Sequence, residues 1–185
     1  MIAFALAGLL LAAGTPQTTV ADEPEGDPLA PARAGMIQCY GPDSVAHTCL
    51  ATVAYHHRQG DAWLSVATVA ADPALPLTAV ITLPVVLRGD TVCSTPSREA
   101  VLAATLNLLD KPVPGDTALP VLVRLADSMA GTIGREICTR YEPAAGGLFA
   151  RATIAGVTTP IPPQRVIWVR ADAGYHVKPP AAGAG

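Results

Sequence analysis

Most of the chain alternates apolar and polar residues with the two-residue period of strands, and one stretch follows the helical period instead. Leu50 to His57 and Ala62 to Ala70 are β-like runs on either side of Arg58-Gln59-Gly60-Asp61, where glycine can take the positive φ of a tight turn. With Gln59 and Gly60 as the loop, Arg58 pairs with Asp61, Tyr55 faces Leu64 and Val53 faces Val66, while His56 meets Trp63 on the opposite face. Leu77 to Leu87 is a third run, and Pro84 inside it points to an edge strand or a bulge. Arg88-Gly89-Asp90 turns the chain into Val92-Cys93. Further on, Ile137, Thr139 and Tyr141 alternate with Glu136, Cys138 and Arg140. Pro143 to Gly147 turns, Leu148 to Ile154 runs back, and Arg165 to Arg170 forms a last strand.

Two helices are predicted. Thr95-Pro96 reads as an N-cap followed by proline in the first turn, with a short helix through about Ala104. Asn107 to Thr117, with two prolines and Gly115, reads as loop. Leu119, Leu122, Val123, Ala126 and Met129 or Ala130 then recur at helical spacing, with Arg124, Asp127 and Ser128 on the other side. The expected fold is α+β: a mainly antiparallel sheet of five or six strands with one or two helices on one face, braced by two disulfides. A small β-sandwich with inserted helices is the alternative.

The first residues change the picture from fold to address. Positions 2–13 are apolar apart from Gly8, too short for a span of about 20 residues but suited to the core of a signal peptide. Thr19-Val20-Ala21 supplies small residues for cleavage, so residues 1–21 are expected to be removed. Asp22 to Gly35, acidic and rich in proline and glycine, reads as a flexible lead-in, 36–178 as one globular domain, and 179–185 as a disordered tail. Arginine far outnumbers lysine and alanine is abundant, a composition that reads as bacterial. The expected location is therefore the periplasm or the outside of the cell.

Cys39, Cys49, Cys93 and Cys138 agree with that address, since an even count in an exported chain reads as two disulfides. Cys39–Cys49, around the turn Gly41-Pro42-Asp43, and Cys93–Cys138 are the favoured pairing of the three possible. Zinc is not expected, because Cys39, His47 and Cys49 lack the closely spaced pairs of such sites. No cofactor motif is present: Gly131-Thr132-Ile133-Gly134 has neither the lysine nor the spacing of a phosphate loop.

Charge excludes more than it suggests. Net charge is -3, and Lys111 and Lys178 are the only lysines, so no basic cluster exists to hold nucleic acid or an anionic membrane after signal cleavage. His56, Arg140 and Tyr141 are the surface candidates for binding. Arg135, Glu136, Arg140 and Glu142 form an alternating-charge run that reads first as a solvated sheet face. The stretches from Gly134 to Pro143 and from Arg165 to Arg170, together with Cys39 and Cys49, resemble uncharacterised exported bacterial proteins. That resemblance implies no activity and no site residues. The expectation is an exported, disulfide-stabilised, non-enzymatic domain that binds an envelope protein or cell-wall component, or acts as an inhibitor. The alternative is a small periplasmic hydrolase using His56 with Asp61 or Asp72.

Overall fold

Among the described residues, ten of the twelve strands belong to one sheet, and eight of those ten close it into a barrel. The computed structural model describes residues 27–72 and 74–178. The expected signal peptide, the first part of the lead-in and the expected tail lie outside these residues. The barrel strands are β1 (Met36–Tyr40), β3 (Ala51–Gln59), β4 (Ala62–Ala70), β5 (Leu77–Arg88), β6 (Thr91–Ser94), β9 (Ile137–Ala144), β10 (Gly147–Ile154) and β11 (Gln164–Arg170). Each pairs antiparallel with the next in this order, and β11 returns to β1 in the register Gln38↔Trp168.

This corrects the expected sheet of five or six strands with helices on one face, and the closed ten-stranded sheet is not the sandwich of the alternative either. Alternation shows which face of a strand is apolar. It does not show that the first and last strands meet, which depends on the accumulated tilt and stagger of all eight. Closure also gives each of the eight strands a neighbouring strand on both sides.

Three details of local chemistry set the register. Gly60, at φ 56°, and Asp61 form the β3–β4 turn, and the pairing shifts between His57 and Gln59. The turn shifts the pairing by two residues from the expected one and the bulge takes one back, so the hairpin is displaced by one residue. Tyr55 lies opposite Ser65, Val53 opposite Ala67, and Trp63 opposite His57 rather than His56. A one-residue slip exchanges faces for a whole strand, and here it turns Trp63 inward beside Tyr55. Pro84 lies within β5, where β7 (Thr105–Leu108) pairs with residues 77–80 and β6 with residues 85–88. Residues 81–84 thus have a strand on one side only, which is where a residue lacking an N–H is tolerated.

Between β6 and β9 the chain inserts α2 (Arg98–Leu102), β7, β8 (Lys111–Pro112) and α3 (Gly115–Ser128). Ser97, not Thr95, caps α2, its hydroxyl accepting from the Ala100 N–H at 3.0 Å. Helix α3 buries Ala118, Leu122 and Ala126, one apolar stripe, against Leu77, Ala79 and Ile81 of β5 and Leu106 of β7. The opposite end of β5 contributes Val85 to a second core with Tyr55, Trp63 and Val92. Leu29 and Ala32 of the N-terminal segment complete it. Helix α1 (Ala30–Arg33) therefore plugs the barrel end opposite α3, and Leu29 before it is fully buried.

The disulfides are Cys39–Cys49 and Cys93–Cys138. Cys93 and Cys138 are direct cross-strand partners on β6 and β9, with Cα atoms 4.1 Å apart. Cys39 projects from the outer side of β1 and ties down the loop that carries β2 (Thr48–Cys49), which pairs in parallel with β12 (His176–Val177). Two disulfides fit an oxidising compartment. Among the described residues no helix is long and apolar enough to cross a membrane.

Candidate functional site

The surface candidates separate. His56 is exposed on β3 opposite Leu64, and neither Asp61 nor Asp72 hydrogen-bonds to it. The Asp72 carboxylate instead accepts from the Ala74 and Leu75 N–H groups. Arg140 is an exposed partner of Asp90 at 3.0 Å. Glu136 pairs with Arg88 and Glu142 with Arg151, so the charged run joins neighbouring strands and turns. Exposed pairs of this kind contribute about 0–1 kcal/mol each. Among the described residues no group of three or more His, Cys, Asp or Glu side chains is gathered to hold a metal.

Tyr141 belongs to a different environment. The register places it opposite Ala150 on the inner side of β9, and its hydroxyl enters a polar cluster inside the barrel. The centre of that cluster is Gln38 of β1, which is fully buried. Gln38 Oε1 lies 3.1 Å from the Tyr40 hydroxyl, 3.0 Å from that of Tyr55 and 3.1 Å from that of Tyr141. The Tyr40 and Tyr141 hydroxyls are themselves 2.7 Å apart. A carbonyl oxygen accepts two hydrogen bonds comfortably, so the third phenol proton goes to a neighbouring phenol oxygen. Gln38 Nε2 and Trp63 Nε1, both buried, have no hydrogen-bond partner among the described residues. A buried donor without a partner is a defect in a structural core and a feature in a binding site.

Burial, followed by the neighbouring Tyr141 phenol, pushes Tyr40 and Tyr55 well above the ordinary phenol range. Both groups stay neutral in the folded protein where the unfolded chain would ionise them. Their contribution to stability is therefore complete below the ordinary value of 10.0 and is lost as pH rises above it. The expected outcome is a fall in unfolding free energy above that pH, flattened in the Tyr40→Phe and Tyr55→Phe variants. Denaturant titration at successive alkaline pH values, with tyrosinate absorbance as a second probe, checks it.

A second concavity lies outside the barrel. It is a groove of about 600 Å³. Thr52, Thr68 and Thr78 floor it, on three adjacent strands; Thr52 and Thr68 are direct partners and Thr78 is diagonal to Thr68. Leu109 and Asp110 form one wall. They are the two loop residues between β7 and β8 and take φ 48° and 62°, conformations that such side chains adopt at a cost. Tyr175, His176 and Lys178 form the other wall. One face of the Tyr175 ring stacks on His47 at 4.9 Å, and His47 is held within the loop closed by Cys39–Cys49. Asp43 steadies the same loop by accepting from the Val45 and Ala46 N–H groups, which lowers its carboxyl below the usual value.

The sequence pointed to Tyr141 but not to Gln38, Tyr40 or the threonine row. The signal for the first two was the alternation of Met36 to Tyr40, in which the polar positions face inward. The result is an antiparallel eight-strand barrel with one polar cluster in an otherwise apolar interior and a groove on its outer face. No protein-family model, curated protein or solved structure matches the chain.

Proposed function

We propose that this protein is a non-enzymatic binding module, exported to the periplasm or cell surface after removal of residues 1–21, and that its outer groove holds a glycan of the bacterial cell wall. The observation that carries the reading is the groove floor: three threonine hydroxyls in a row, beside the Tyr175 ring and between Asp110 and Lys178. Each hydroxyl can donate and accept, matching the dual character of sugar hydroxyls. An aromatic ring presents an apolar face to the C–H side of a pyranose, and one carboxylate with one ammonium suits a ligand carrying both polar and charged groups. The two disulfides and the apolar run at positions 2–13 support the export that the reading requires. The hydrolase alternative gains no support from His56, which does not line the groove.

Co-sedimentation with purified insoluble peptidoglycan tests the proposal. The wild-type chain is expected to pellet, and Tyr175→Ala and Thr68→Lys to remain in the supernatant while keeping their fold. Wild-type protein left in the supernatant, or groove variants that pellet equally, would overturn it.

A further inference from the structure

The two walls of the outer groove have different supports. The threonine floor lies on β3, β4 and β5, and the Leu109–Asp110 wall on the β7–β8 turn, all parts of the ten-stranded sheet. The wall of Tyr175, His176 and Lys178 belongs to the segment that follows β11 and lies outside that sheet. Among the described residues β12 has one strand partner, β2. The His176 and Lys178 N–H groups donate to the His47 and Cys49 carbonyls at 3.1 and 3.0 Å. The Tyr175 ring stacks on His47 and packs against the small cluster of Cys39, Cys49 and Val169. This wall therefore hangs on the loop from Gly41 to Leu50. The loop's two ends are tied to the barrel, the Gly41 N–H donating to the Arg165 carbonyl and the Leu50 N–H to that of Tyr40. Its own bridge, Asp43 to Thr48, is internal, and Val45 at its tip is exposed. What pins its β2 end to the outer face of β1 is the Cys39–Cys49 bond, packed with Ile37, Ile167 and Val169.

We propose that formation of the Cys39–Cys49 bond assembles the groove, so that the chain becomes competent to bind on oxidation and lacks the Tyr175 wall while these two thiols are reduced. This rests on the groove being the binding site and gives that site its regulation. In forming the bond Cys39 and Cys49 give up two protons and two electrons, which a disulfide-bearing oxidant takes up as it becomes a dithiol. Without the bond the loop samples many arrangements, and the Tyr175 wall is in place in a fraction of the molecules. Apparent affinity falls by that fraction. Cys39 and Cys49 are both buried, so a thiolate does not reach the finished bond unless the loop opens. The device acts once, in the oxidising compartment, and withholds binding before the chain arrives there. Cys93–Cys138 has a different part: it joins β6 to β9, and neither cysteine lines the groove.

Two readouts on the ¹⁵N-labelled full chain test this, amide hydrogen exchange without ligand and co-sedimentation with peptidoglycan. In Cys39→Ala/Cys49→Ala the protection of the His176 and Lys178 amides is expected to fall by roughly tenfold or more, while the amides of β3 and β4 keep theirs. Binding should fall with it. Cys93→Ala/Cys138→Ala, although the less stable of the two variants, should keep both the protection of these amides and the binding. Wild-type protection of His176 and Lys178 in the Cys39/Cys49 variant, equal loss in both variants, or a Cys39/Cys49 variant that pellets like a pelleting wild type would overturn the proposal. Wild-type protein that stays in the supernatant would end the glycan reading and leave the exchange rates to decide this one. Should alanine at both positions prevent folding, Cys39→Val with Cys49→Ala fills the vacated space and is read in the same way.

Discussion

Replacing Cys93 and Cys138 together by alanine is expected to lower the unfolding free energy by about 4 kcal/mol, the loss that chain entropy assigns to a cross-link of this span. The two cysteines are 45 residues apart, and the closed loop holds α2, β7, β8 and α3. Their position makes the link matter more than its span alone suggests. Strand β6 has four residues, each paired with β9 between Ile137 and Arg140, and this short ladder is the seam where the insertion leaves and rejoins the barrel. Without the disulfide, four residue pairs hold that seam against the entropy of the insertion. The Cys39–Cys49 link closes only ten residues, and its loss is expected to cost about 3 kcal/mol. Alanine is preferred to serine because Cys93 is buried and a hydroxyl there would need a partner. Denaturant unfolding of both double variants measures the difference. A smaller loss for Cys93/Cys138 than for Cys39/Cys49 would contradict the seam argument.

The second large effect is expected at Trp63. Truncation to alanine should cost about 4 kcal/mol, as for other fully buried large aromatics. Trp63 is 2% exposed and packs with Tyr55, Val85, Leu29 and Ala32, and the Arg33 guanidinium lies 4.6 Å from its ring centre. The ring therefore joins the barrel wall to the plug, and its loss should release residues 27–35 to proteases as well as destabilise the core. Trp63→Phe should cost much less, because it keeps an aromatic ring beneath Arg33 and removes an indole N–H that has no acceptor. Unfolding midpoints and limited proteolysis followed by mass spectrometry check both halves. A Trp63→Ala variant with wild-type protection of the N-terminal segment would show that the plug is held by other contacts.

Much of the local structure was legible. The runs from Ala62 to Ala70 and Leu148 to Ile154 coincide with β4 and lie within β10, and Gly89 takes φ 60° in the turn expected of Arg88-Gly89-Asp90. Those features depend on side-chain alternation and on the backbone freedom of glycine, both of which are properties of neighbouring residues. The helix around Leu122 was legible for the same reason, although its buried stripe is Ala118, Leu122 and Ala126 while Leu119 is exposed. The difference is a rotation of the helix about its axis, fixed by what it packs against.

The interior polar cluster was not legible, because it reverses the usual sign of the pattern. Along Met36 to Tyr40 the polar Gln38 points into the barrel, and Cys39 is buried on the outer side beneath the loop it anchors. Likewise, the acidic stretch before Met36 reads as linker, yet Asp27 to Gly35 contains an ordered helix with Leu29 fully buried. One apolar side chain among proline, glycine and acids is a weak signal until a cavity of matching shape exists to receive it.

The sequence by itself determined the strands of the two main hairpins and the last barrel strand, most of their turns, the pairing preference of the cysteines and the expectation of export, because each rests on spacing within a few tens of residues. The tertiary structure alone decided that eight strands close into a barrel, that a bulge after His57 turns Trp63 inward, and that Gln38, Tyr40, Tyr55 and Tyr141 meet. Those outcomes depend on tilt and register summed around the whole sheet, where a shift of one residue exchanges the inner and outer faces of a strand.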